Sequence, residues 1–71
     1  MTQIEIGQFV RAYRKQSSVT MEGLEKKAFV TRNTIRDFER SAHAIRIDSL
    51  LLILDALGLE LEVKEKADVS N

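Results

Sequence analysis

From Thr31 to Asp37 the chain reads Thr-Arg-Asn-Thr-Ile-Arg-Asp, so six of seven neighbouring side chains can make hydrogen bonds. The guanidinium of an arginine spans the O6 and N7 acceptors of guanine with two parallel bonds, and the carboxamide of an asparagine matches the N6 donor and N7 acceptor of adenine. The hydroxyls of Thr31 and Thr34 reach phosphate oxygens, assisted by the free amides at a helix N-terminus. Arg36 extends the same set one turn later. Asp37 repels phosphate, and either accepts from cytosine N4 or partners Arg36 or Arg40. This is the chemistry of reading the edge of a duplex, and it requires an element that presents these groups together.

The flanking pattern supplies such an element. The stretch from Thr20 to Glu39, TMEGLEKKAFVTRNTIRDFE, reads as two short helices joined by a tight turn, each opened by a threonine. Leu24, Ala28, Val30, Ile35 and Phe38 repeat at three- and four-residue steps broken once near Phe29, which predicts an inward stripe on both helices. A pair of this kind is how a small domain lays one helix into the major groove of DNA. Lys26, Lys27 and Arg11 are further cations for phosphate, or an ordinary solvated face.

Other elements must hold that pair. Thr2-Gln3-Ile4-Glu5 matches a capping box and opens a first helix with Ile6, Val10 and Tyr13 on one side, joined by Phe9, ending near Gln16 to Ser18. Gly7 costs this helix about 1 kcal/mol of propensity, which predicts a neighbouring helix passing close there. Ser41 to Arg46 reads as a loop carrying His43. An apolar helix follows from Asp48 to Leu57, with Leu50, Ile53, Leu54 and Leu57 inward, Leu52 outward and Arg46 a poor cap. Gly58 stops it. Leu59-Glu60-Leu61-Glu62-Val63-Lys64 then alternates with period two, a strand pattern. No second strand is visible to pair with it, so the same strand of another copy is the expected partner, giving a two-stranded sheet across a dyad. Leu52, Leu59, Leu61 and Val63 are the expected dimerisation residues; a frayed helical extension or an ordered tail is the alternative. The expected organisation is a domain over 1–58, a dimerisation strand over 59–66 and a flexible tail over 67–71. The fold class is mostly α, a small four- to five-helix bundle with one C-terminal strand.

Composition sets limits on this reading. A core of 71 residues supplies only about 3–5 kcal/mol of net stability, so a helper is expected. Cysteine is absent and histidine single, which leaves no thiolate site and makes a second subunit the simpler helper than a metal. No cofactor or enzymatic activity is expected, since no glycine-rich phosphate loop or flanking carboxylate pair is visible. The net charge is zero, yet residues 1–46 hold nine Lys/Arg against five Asp/Glu (+4) and residues 47–71 hold two against six (−4). Such asymmetry points to a basic working surface and an acidic end with another task. No leader or apolar membrane span is seen, so a cytoplasmic protein without membrane contact is expected.

The chain resembles the Xre or lambda-repressor-like helix-turn-helix family. Ile6-Gly7 with Arg11 and Arg14, the stretch Thr20 to Glu39, and Leu50-Leu51 with Ile53 and Ala56-Leu57-Gly58 carry the resemblance over about residues 2 to 58. It implies that Arg14 and Glu39 form a structural ion pair locking the first helix to the recognition helix. It implies DNA contacts from Thr31, Arg32, Asn33, Thr34, Arg36 and Asp37, together with Thr20, Met21 and Lys27 on the supporting helix. The added strand resembles HipB-type antitoxins. That implies a homodimeric repressor on palindromic double-stranded DNA, in a toxin–antitoxin pair with a HipA-like kinase as partner; the alternative is a module that captures a partner enzyme with little DNA binding. Three positions depart from the pattern. Met21 replaces a glutamine, Glu25 stands where a small residue is usual, and Phe29 stands where glycine is usual. Glu25 must shift the helix packing or turn its carboxylate outward. A left-handed Phe29 costs roughly 1–2 kcal/mol, so a remodelled turn with a buried Phe29 is expected.

Overall fold

The computed structural model describes residues 2–66. Four helices follow in order: α1 Gln3–Gln16, α2 Met21–Ala28, α3 Arg32–Arg40 and α4 Ile47–Ala56. No fifth helix forms among the described residues, so the count takes the lower of the two expected values. The expected tail over 67–71 lies outside the described residues.

Each helix start is written locally, except the last. Thr2 accepts from the Glu5 amide at 3.2 Å while its own amide donates to the Glu5 carboxylate at 2.8 Å, a complete capping box. Thr20 caps α2 through the Gly23 amide, and Thr31 caps α3 through the Thr34 amide. Arg46 gives α4 no side-chain cap and instead pairs with Asp48 at 3.1 Å.

The helix ends show how the chain turns with few glycines. After α1 the left-handed residue is Ser18 (φ 60), after α2 it is Phe29 (φ 59), and after α3 it is Ser41 (φ 55). Only after α4 is it a glycine, Gly58 at φ 75. There the Gly58 amide donates to Asp55 O and the Leu59 amide to Leu54 O, closing a Schellman motif that folds Leu59 back beside Leu54.

The core lies where the four helices meet. Val10, Leu24, Ala28, Val30, Ile35, Phe38, Leu50, Ile53 and Leu54 are buried, with Ile6, Val19, Met21, Ile45, Ala56, Leu57 and Leu59 packed against them. The inward stripes of α2, α3 and α4 are those the spacing predicts, Leu57 being half-buried. On α1 the stripe is narrower: Val10 is fully buried and Tyr13 half-buried, while Phe9 faces solvent and stacks on Tyr13 at 6.1 Å between ring centroids. A Cβ on Gly7 would stand 2.5 Å from the backbone oxygen of Phe38, so the absent side chain sets how close α1 and α3 come.

Residues 59–66 form no strand in the single chain. A lone extended segment has no ladder to join, and its hydrogen-bonding groups need either water or a second chain.

Candidate nucleic-acid interface

The candidate surface is built on α3, whose two sides differ sharply. Ile35, Phe38 and Glu39 are buried, whereas Thr31, Arg32 and Asn33 are exposed and Thr34, Arg36 and Asp37 half-exposed. Six polar side chains therefore share the outer face of one short helix, with Thr31 at its N-terminus. Their mutual contacts are specific. The Thr31 and Thr34 hydroxyls lie 2.9 Å apart. Arg36 donates to the Asn33 Oδ1 at 2.5 Å, which orients the carboxamide. Arg32 reaches back across the turn to Glu25, Nη2 to Oε1 at 3.4 Å, with its side chain still half-exposed.

α2 lies across this helix and contributes less uniformly. Lys27 is exposed, and Lys26 pairs with Glu22 at 3.8 Å. The Thr20 oxygen is already engaged by the Gly23 amide at 3.0 Å. Met21 is half-buried and packs on the core, so only part of its side chain is available to a ligand.

Behind this face α3 is locked to α1 by one buried pair. Arg14 of α1 donates through Nε to Glu39 Oε2 at 2.7 Å and through Nη2 to Oε1 at 2.9 Å, while Nη1 donates to the Val19 carbonyl at 2.9 Å. Both residues are buried. The hydrogen bonds it donates to Glu39 and the charge of that carboxylate raise the Arg14 pKa, against the opposing effect of burial. Every buried side-chain polar atom among the described residues has a partner, as a buried ion pair requires.

The turn departs from expectation in two respects. Phe29 does adopt the left-handed conformation, and its amide still donates to Glu25 O, so the turn is not remodelled. The ring, however, is not buried: Phe29 is 87% exposed. The buried position at this turn belongs instead to the next residue, Val30. Glu25, for its part, turns its carboxylate to the start of α3, where Oε2 accepts from the Arg32 amide at 3.0 Å. Sequence reasoning left that role unassigned, because seven residues and a turn separate the two groups.

A second surface lies on α1, α4 and the segment that follows α4. The tail from Leu59 to Leu61 runs between α1 and α4 with an open groove on each flank. One, of about 570 Å³, is lined by Ile6, Phe9, Val10, Leu54, Leu59 and Leu61 with Glu5 and Glu60. The other, also about 570 Å³, is lined by Leu51, Leu52, Leu54, Leu59 and Leu61 with Asp48, Asp55 and Glu60. Leu51 and Leu52 are nearly half exposed, Leu61 more than a third, and Val63 is 89% exposed. Among the described residues no cluster of potential ligands could hold a metal ion, and no helix is long and apolar enough to cross a membrane.

A capped helix with an outward polar face, held across a second helix by a tight turn, defines a DNA-binding helix-turn-helix module. Residues 10–64 match the model of the helix-turn-helix family, and the chain belongs to that Xre/lambda-repressor-like family. No curated protein matches it. Two solved structures share the fold. One, called MDT Protein, is 21% identical with a TM-score of 0.85, and the match covers 94% of each chain. The other is a chain in the structure of a HipA-HipB-O2-O3 complex, also 21% identical, with a TM-score of 0.86 and 94% of each chain covered.

Proposed function

We propose that the protein is a transcriptional repressor that binds a palindromic operator as a homodimer, and that it serves as the antitoxin of a toxin–antitoxin pair. The observation that carries the DNA reading is the outer face of α3, where Arg32, Asn33 and Arg36 are presented while Ile35 and Phe38 anchor the helix from behind. Arg32 addresses guanine, Asn33 addresses adenine, and Thr31 and Thr34 hold phosphate at the helix start. The excess of cations before Ile47 supports approach to a polyanion, and the acidic remainder faces away from that task.

Duplication of the reading head supports palindromic recognition, because two copies on a dyad spaced about 34 Å meet successive major-groove faces. The apolar surface around Leu52, Leu59, Leu61 and Val63 supplies the contact between copies, with the tails pairing as strands. The likeness of fold to a chain in a HipA-HipB-O2-O3 complex supports a HipA-like kinase as the toxin partner.

Replacing Arg32 and Asn33 together by alanine is expected to abolish binding to a duplex selected by the wild-type protein, followed by fluorescence anisotropy at several salt concentrations. Wild-type affinity should fall steeply as salt rises, because phosphate contacts release counterions. Undiminished affinity in the double variant would remove α3 from the groove. Capture of a HipA-like kinase by that same variant separates the two activities, since the partner surface lies elsewhere in this proposal.

A further inference from the structure

We propose that Glu25 is a specificity-determining residue that positions Arg32 for a base edge and withholds the Arg32 backbone amide from phosphate. The inference rests on the DNA-binding reading above and deepens it. α3 has no acidic residue of its own in its first turn, although its N-terminus carries partial positive charge. Glu25, one element earlier, fills that place with both oxygens. Oε2 accepts from the Arg32 amide at 3.0 Å and Oε1 meets the Arg32 guanidinium at 3.4 Å.

Two consequences follow for a duplex approaching this face. A backbone phosphate would settle on the same amide that Glu25 occupies, so the carboxylate competes with sequence-independent contact. The guanidinium, meanwhile, keeps most of its five donors but has its charge offset by Glu25. A phosphate is attracted by net charge and loses by that offset. The O6 and N7 acceptors of guanine respond mainly to the geometry of the donor fork, which the tether to Glu25 makes more regular. The carboxylate therefore weakens the wrong contact more than the right one, and discrimination rises even where total affinity falls.

The test uses Glu25→Gln, which keeps the side-chain length and an acceptor for the Arg32 amide while removing the charge. Two duplexes serve as probes: one selected from a randomised pool by the wild-type protein, and one of the same composition with scrambled order. Glu25→Gln should bind the scrambled duplex roughly threefold to tenfold more tightly, with a salt slope steeper by about 0.9, the value for one additional phosphate contact. The ratio of selected to scrambled affinity should fall accordingly. In an Arg32→Ala background the backbone amide remains but the guanidinium is gone, so the same substitution should change that ratio by less than in the wild-type chain, whereas a merely structural role for Glu25 would change it equally in both. Equal changes on both duplexes, or an unchanged ratio in the wild-type background, would overturn the role of Glu25 while leaving the DNA reading intact. If the wild-type protein selects no duplex at all, both fall together.

Discussion

Arg14 and Glu39 show what one buried contact does for the recognition surface. Three donors of the guanidinium are used, two on the carboxylate and one on the Val19 carbonyl, so no charge is left unsolvated. Arg14→Ala alone should cost about 3–5 kcal/mol in urea unfolding, because it strands the Glu39 charge in the core. Combining Arg14→Met with Glu39→Leu should recover most of that loss, since two apolar chains of similar volume need no partner; a double variant as unstable as the single one would contradict this. Phe29 presents the opposite case, a residue whose conformation costs stability and whose side chain returns little of it. At φ 59 and almost wholly exposed, it should tolerate Phe29→Gly with a gain of about 0.5–1 kcal/mol, the relief of left-handed strain exceeding the added entropy of the unfolded chain. The urea midpoint reads this directly.

At the level of elements, the angle and height of α3 are set by its contact with α1. Gly7 is the point of closest approach, and the facing atom is a backbone oxygen that cannot rotate away. Gly7→Ala raises helix propensity by about 1 kcal/mol, yet it should destabilise the protein by about 1–3 kcal/mol because the two helices must separate. Thermal unfolding should show a lower midpoint, and DNA affinity should fall even well below that temperature, since α3 carries the reading groups. A rise in the midpoint would mean that the α1–α3 contact is looser than the structure has it. The turn between α2 and α3 is shaped by the same economy of glycine as the ends of α1 and α3, where serines take the left-handed position.

The whole molecule presents two faces, of different chemistry, built on different residues. One is the polar outer side of α3; the other is the apolar surface where the tail crosses between α1 and α4, flanked by Phe9, Leu51, Leu52 and Leu61. A small domain that leaves this much leucine in contact with water gains by covering it with a second copy. Leu61→Pro removes an amide from any ladder the tails would form and restricts the backbone on either side. Sedimentation should then report monomers, and affinity for a palindromic duplex should drop far more than affinity for a single half-site. An unaltered sedimentation profile would place the contact between copies elsewhere.

What the residues determined unaided was largely periodic and local. Helix starts at Thr2, Thr20 and Thr31, the inward stripes of α2, α3 and α4, the glycine stop at Gly58 and the polar head of α3 were legible because each depends on neighbours within a turn or two of the chain. The close approach at Gly7 was legible as well, since a glycine inside a helix needs a reason. Tertiary structure decided the rest. It decided that Phe29 keeps the left-handed turn and faces solvent, while the buried position at the turn goes to Val30. It decided that Phe9 lies outside the α1 stripe, and that Glu25 spans the turn to the amide and guanidinium of Arg32. Those outcomes depend on how helices sit against one another, a relation among distant residues that no periodicity along the chain encodes.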